Sequence, residues 1–187
     1  KCISVTGTNG KTTNCEIKFH ILSSLDFKTR LLGNGGVPFS SQILDTKNDE
    51  VVVLESSSFQ LADCEKFSPY ISVLTNIAQD HLNYHGSFEN YVLAKTKNFT
   101  GQSKDSYAIF NFDDDNARDI SQLCNAKKLY YSCCNRKADC YFENNEVVVN
   151  ICGKSVKARA EFLNSFAAHN LSNALAALLA CCVLKVP

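Results

Sequence analysis

The sequence predicts an α/β fold: a mainly parallel sheet with helices on both faces, and a small antiparallel β meander towards the C-terminal part. Three observations predict it. Short runs rich in β-branched residues, Val51–Leu54 and Ile71–Thr75 above all, have the character of strands buried on both faces. They alternate with longer stretches whose apolar residues recur at helical spacing. From Cys140 onward the texture changes to three closely spaced strand runs separated by turn residues alone.

Taken in order, Cys2–Val5 is a short apolar strand ending in Thr6-Gly7. A helix follows from Thr12 to Leu25, with Ile17, Ile21, Leu22 and Leu25 on its inward side. Thr29–Leu32 is the second strand, closed by Gly33-Asn34-Gly35-Gly36, and Val37–Leu44 forms a short helix after Pro38. After the strands Val51–Leu54 and Ile71–Thr75, Ser87 caps a helix to Phe99, with Phe88, Tyr91, Val92 and Lys95 on one face. Tyr107–Asn111 is a strand, Asp114–Leu123 a helix, and Leu129–Ser132 a strand. Cys140–Glu143, Val147–Ile151 and Val156–Arg159 form the meander, turned by Asn144-Asn145 and Gly153-Lys154. Ala167–Leu184, rich in Ala and Leu, is a long helix stopping before Pro187.

The composition limits the function. At 187 residues the chain is the size of one domain with a full core. Nineteen Lys+Arg balance 19 Asp+Glu, which argues against a nucleic-acid or membrane-surface binder. The longest apolar run, near Ala174–Val183, falls short of the roughly 18 residues of a membrane span. The ten cysteines include no C-x-x-C pair, and most read as small buried hydrophobes in a reducing compartment. The chain starts at Lys1 and has no Met, so it is expected to be part of a longer protein.

The chemistry gathers at the carboxyl ends of strands, where open α/β sheets bind ligands. Gly7-Thr8-Asn9-Gly10-Lys11-Thr12-Thr13 lies between the first strand and the first helix. Its glycines allow a tight turn with inward N–H groups, Lys11 can reach β- and γ-phosphates, and the Thr12 hydroxyl can ligate Mg²⁺. Two residues separate the glycines where the usual phosphate loop has four, making this a G-x-x-G-K-T variant. Glu55 ends the third strand and is well placed to hold Mg²⁺. Asp80-His81 follows the fourth strand, where His81 can ligate a metal or orient a phosphate. Lys95 points inward from its helix, whereas Lys97 is read as solvated, and His20 and His85 as structural.

These residues resemble the Mur ligases of peptidoglycan synthesis and the related folylpolyglutamate synthases. Gly7–Thr13 is similar to their shared ATP loop. Within the family, Gly33-Asn34-Gly35-Gly36, Glu55-Ser56-Ser57-Ser58-Phe59-Gln60-Leu61, Asn76-Ile77 with Asp80-His81-Leu82 and His85-Gly86-Ser87, and His169-Asn170 with Asn173-Ala174 look most like the D-glutamate-adding branch. Ser58-Phe59-Gln60-Leu61 is the discriminating piece, since the diaminopimelate- or lysine-adding branch usually shows Ser-Ser-His there. The resemblance covers essentially the whole chain as the central ATP-binding domain of a three-domain ligase, residues 1–187, without its N-terminal UDP-binding and C-terminal domains. Gly35 stands where the family usually has Ile, Ser56 where it has Leu, and Asn83-Tyr84 where Asp-Arg is common.

The resemblance implies a cytoplasmic, monomeric enzyme of peptidoglycan synthesis. It would join D-glutamate to UDP-N-acetylmuramoyl-L-alanine through an acyl phosphate made with ATP. Lys11 would bridge phosphates, Thr12 and Glu55 would hold one Mg²⁺, and His81 with a carbamoylated Lys95 a second. Asn34, Ser57 and Gln60 would face the muramoyl substrate; Asn170 and Asn173 would meet the adenine. Asn111, Asp113 and Asp114 carry no assigned role. By itself the domain is expected to make no product. The alternatives are a sister Mur ligase or a folylpolyglutamate synthase-like ligase, or a non-catalytic nucleotide-binding module.

Overall fold

The computed structural model describes residues 1–184; the expected stop before Pro187 falls outside them. The elements are β1 (Cys2–Thr6), α1 (Lys11–Ser24), β2 (Thr29–Gly33), α2 (Phe39–Gln42), β3 (Val51–Glu55), α3 (Ser58–Ala62) and β4 (Ile71–Leu74), then α4 (Leu82–His85), α5 (Phe88–Thr100), β5 (Tyr107–Asn111), α6 (Asp115–Ser121) and β6 (Lys127–Ser132). The meander is β7 (Cys140–Glu143), β8 (Glu146–Ile151) and β9 (Lys154–Arg159), and α7 (Ala168–Val183) closes the domain.

One nine-stranded sheet runs in the order β2-β3-β1-β4-β5-β6-β7-β8-β9. Pairing is parallel from β2 through β7 and antiparallel for β7–β8 and β8–β9. Thus the meander is a continuation of the main sheet rather than a separate insertion. Its first turn is Asn144-Asn145 with φ of 50° and 67°, as type I′ geometry demands. The second turn is Cys152-Gly153 (φ 52° and 74°), one residue earlier than expected, because Lys154 already pairs with Ile151.

Strand alternation sends Ile3, Val5, Val53, Ile71 and Val73 to one face, where α1 and α7 cover them. Leu74, Ala108 and Phe110 pack on the other face with Tyr91 and Phe99 of α5 and Ala117 and Ile120 of α6. Each fully buried aliphatic here contributes about 1.5–3 kcal/mol. Ser87 and Asp114 cap α5 and α6 through the amides of Asn90 and Ala117.

The inward face of α1 differs from the expectation. Its buried residues are Asn14, Cys15, Lys18 and Leu22, while Ile17 and Ile21 are half-buried and Leu25 is exposed. The small side chains Ala174, Ala177, Ala180 and Cys181 give α7 a thin profile beside this polar stripe. Lys97 is not simply solvated either: it is half-buried and donates to the Ala62 carbonyl. All ten cysteines are free; four are buried, four partly buried, and Cys134 and Cys152 exposed.

Candidate active site

Strand β1 lies between β3 and β4, so the chain order reverses around it. This is the switch point at which doubly wound sheets bind ligands. The loop 7–10 leaves β1 here, and Gly10 is the N-cap of α1 at φ 81°. Among the described residues no side chain caps that N-terminus, which leaves its first N–H groups and its dipole to a ligand. The loop is pinned from behind: Thr8 N donates to the Asn76 carbonyl (2.9 Å), Asn9 N to Asn76 Oδ1 (3.0 Å), and Thr75 Oγ1 to the Asn9 carbonyl (2.6 Å).

Two lysines converge on it. Lys11 Nζ curls back to the carbonyls of Gly7 (3.1 Å) and Thr8 (2.9 Å). Lys95 Nζ, from α5 across the cleft, donates to the same Gly7 carbonyl at 2.8 Å. Burial, reinforced by the Lys11 ammonium and opposed by Asp80, lowers Lys95 to about 7. Its Nζ stands 4.7 Å over the ring of Tyr91, whose hydroxyl is 2.9 Å from Thr8 Oγ1.

Glu55, only 3% exposed, ends β3. Thr12 Oγ1 donates to its Oε2 (2.8 Å) and Asn34 Nδ2 to its Oε1 (3.1 Å). Gly35 makes this possible: a Cβ there would fall 2.2 Å from Glu55 Oε2. His81 starts α4 in the left-handed region at φ 52°, with Nε2 3.4 Å from Asp80 Oδ2 and its ring 4.8 Å from that of Phe59. Lys11, His81, Lys95, Asn34 and Ser57 all line one cleft of about 80 Å³. A larger groove, about 570 Å³, lies between residues 64–68 and the end of α5 and holds none of the expected site residues.

Ser57 and Gln60 have a local duty. They form a reciprocal capping box for α3, with Ser57 N donating to Gln60 Oε1 (2.9 Å) and Gln60 N to Ser57 Oγ (3.2 Å). Asn170 is exposed on the first turn of α7, and Asn173 is buried beside Gly10. The residues without an assigned role are structural ties. Asn111 Nδ2 donates to the Thr75 carbonyl, Asp113 accepts from Cys133 N, and Asp114 accepts from Ile77 N. Sequence reasoning quoted Asn76 in a motif without a duty, missed that Thr75 holds the loop with it, and gave Tyr91 only an inward position. The one available signal for Tyr91 was its place four residues before Lys95, on the same helical face.

Residues 5–181 match the family model described as Mur ligase middle domain. The chain belongs to the Mur ligase family. Similar relatives of this Mur ligase domain include the UDP-N-acetylmuramoylalanine--D-glutamate ligase of Clostridioides difficile strain 630, 35% identical over 98% of the chain and 41% of the relative. The ligase of the same name from Alkaliphilus metalliredigens strain QYMF is 36% identical over 100% of the chain and 41% of the relative. The chain thus spans about two-fifths of the length of these relatives. Among solved structures, a UDP-N-acetylmuramoyl-L-alanyl-D-glutamate--2,6-diaminopimelate ligase superposes with a TM-score of 0.75 at 25% identity, covering 100% of this chain and 44% of the other. MurF ligase of Thermotoga maritima, solved in complex with ADP, has the same fold at a TM-score of 0.73 and 20% identity, covering 100% and 46%.

Proposed function

We propose that this Mur ligase domain is the central ATP-binding unit of a three-domain enzyme adding D-glutamate to UDP-N-acetylmuramoyl-L-alanine. One observation carries the reading: Lys11 and Lys95 meet on the Gly7 carbonyl, while Glu55 stands against Thr12 across the same helix N-terminus. The Lys11 cation, an uncapped helix start and a single buried carboxylate suit a polyphosphate with divalent metal better than any neutral ligand. The choice of D-glutamate rests on the relatives' names and on Ser58-Phe59-Gln60-Leu61.

In the reaction, the first N–H groups of α1 receive phosphate oxygens, and Lys11 exchanges its two carbonyl acceptors for the β- and γ-phosphates. The γ-phosphoryl group passes to the substrate carboxylate, ADP leaves, and the amine of D-glutamate attacks the acyl phosphate and expels inorganic phosphate. Positioning and neutralisation suffice for such a transfer. The donor set fits Mg²⁺: Thr12 and Glu55 would offer hard oxygens at one position, and a carbamoylated Lys95 would offer carbamate oxygens, with a ring nitrogen of His81, at a second. Bound there, Mg²⁺ screens the charge of the phosphates. The lowered pKa of Lys95 supplies the free amine that adds CO₂ and releases a proton, giving an anionic carbamate in place of an ammonium. Asn34, Ser57 and Gln60 face the muramoyl side, and Asn170 and Asn173 the adenine. The enzyme acts as a cytoplasmic monomer, without nucleic acid; among the described residues no helix is long and apolar enough to cross a membrane.

The test is phosphate release from ATP by the full-length enzyme with UDP-N-acetylmuramoyl-L-alanine and each candidate amino acid. D-glutamate alone should support turnover. Turnover with another amino acid instead would move the protein to a sister branch.

A further inference from the structure

Lys18 is the second buried lysine of the domain, and the reaction does not use it. It lies on α1 two turns beyond the phosphate loop, with no exposure to solvent. Among the described residues no carboxylate pairs with it. Burial lowers its pKa to about 8, so at neutral pH it is mostly charged. The charged or titratable neighbours that act on it are the thiols of Cys15 on its own helix and Cys181 on α7. Burial raises these to about 12 and about 11, so both are neutral and give no counter-charge. An isolated buried ammonium is costly, and its hydrogen-bond acceptor is the place to look for its purpose.

That acceptor is Asn14 Oδ1, one helical turn back and itself fully buried. An ammonium has donors only, so it must take the amide oxygen. The Asn14 amide is thereby turned one way, with Nδ2 facing the backbone carbonyl of Asn173, to which it donates at 2.8 Å. Without Lys18 the Asn173 carbonyl alone would hold this orientation, since the opposite one sets oxygen against oxygen, and the amide oxygen would be left without its donor. Asn173 in turn lies against the phosphate loop. A Cβ at Gly10 would sit 2.5 Å from Asn173 Oδ1, so the side chain occupies the space beside the loop's last glycine. Gly10 is the N-cap of α1, the residue that sets where the first N–H groups point.

We infer that Lys18 is a positioning residue of the nucleotide site: acting through Asn14, it fixes the first turns of α7 against Gly10 and so sets Asn173 and the phosphate loop in register. The inference rests on the nucleotide reading given above and deepens it. It assigns a core residue, far from any phosphate, to the affinity of the site.

The experiment is titration of the full-length protein with ADP, as the unsubstituted form, Lys18→Met and Asn14→Asp, with melting temperatures recorded alongside. Lys18→Met keeps the length of the side chain and removes the charge. Asn14→Asp keeps an acceptor for Lys18 but puts an oxygen against the Asn173 carbonyl. Both variants should bind ADP about tenfold more weakly, the loss of roughly one buried hydrogen bond. The melting temperature of Lys18→Met should not fall in proportion, since an uncompensated charge leaves the core. A purely structural lysine would instead lower the melting temperature and leave the affinity of the folded protein unchanged. Equal ADP affinity in all three forms overturns the inference while leaving the nucleotide reading intact. Absence of ADP binding by the unsubstituted protein overturns the nucleotide reading itself, and the inference falls with it. Should Lys18→Met not fold, Asn14→Asp decides by the same two readings.

Discussion

The two faces of β1 each bury a lysine, and the contrast between them separates chemistry from support. On the α5 face, Lys95 is 2% exposed yet looks into a cleft, with a backbone carbonyl, an aromatic ring and a second ammonium as neighbours. On the α1 face, Lys18 is sealed among an amide and two thiols. Both are shifted downward by the same cause, burial. The difference is access. Lys95 can be reached by a ligand from the cleft, whereas Lys18 can act only on its neighbours. A low lysine pKa alone therefore does not mark a catalytic residue; the space in front of the nitrogen decides.

The comparison can be broken in several places. The largest effect is expected at the loop: Lys11→Ala in the full-length enzyme should lower the rate of phosphate release by about 10³-fold or more, the scale for removing a charge from a phosphoryl-transfer site. Near-normal turnover would remove the phosphate role of the loop. Next comes Lys95→Ala, which should lose most activity and regain part of it when formate or acetate is added, because a small carboxylate can replace the carbamate oxygens. Lys18→Met should show no such rescue; rescue of both variants, or neither, would erase the distinction drawn here.

Stability against pH sharpens the same contrast. Each lysine binds its proton more weakly in the folded chain than in the unfolded one. Between the folded pKa and the ordinary value of 10.5, the unfolded state holds more protons, so stability rises with pH. The gain from Lys95 begins near pH 7 and that from Lys18 near pH 8. The buried thiols, raised above their ordinary value, oppose this trend above pH 8 in every form, so the test is the difference: from pH 8 to 9 the melting temperature of the unsubstituted protein should gain on that of Lys18→Met. Identical slopes would show that Lys18 carries no shift. The smallest effect is at α3: Gln60→Ala should cost about 0.5–1 kcal/mol of stability by opening the capping box, read from denaturant midpoints, with ADP affinity unchanged.

Most of the architecture was legible in the sequence because its signals are local. Tyr107–Asn111 and Cys140–Glu143 are bounded by turn residues on both sides, and their limits match the structure. The helices α3 and α4 were not foreseen, since elements of five and four residues hold little more than one turn and cannot show a repeated apolar spacing. The misread face of α1 has a different origin. Apolar periodicity counts only apolar residues: it placed Leu22 correctly, but the core-facing positions also include Asn14 and Lys18, which it could not see. The gathering of Lys11, His81 and Lys95 in one cleft, and of Glu55 against Thr12, was legible because Lys11, Glu55 and His81 stand in motifs at strands' carboxyl ends and Lys95 points inward from its helix; the roles given to them are the proposal. The site was not legible where backbone carbonyls or side-chain amides do the holding, as with Asn76 and Asn14, because such contacts depend on which loops the fold brings together.

The central claim, that Gly7–Thr13, Glu55, His81 and Lys95 form one polyphosphate and metal site, is tested most directly by a crystal structure of the full-length protein with ADP and Mg²⁺. The β-phosphate should lie on the N–H groups at the start of α1, with Lys11 Nζ turned from the Gly7 and Thr8 carbonyls towards it and metal density beside Thr12 and Glu55. ADP bound elsewhere, with Lys11 still on its two carbonyls, would contradict it.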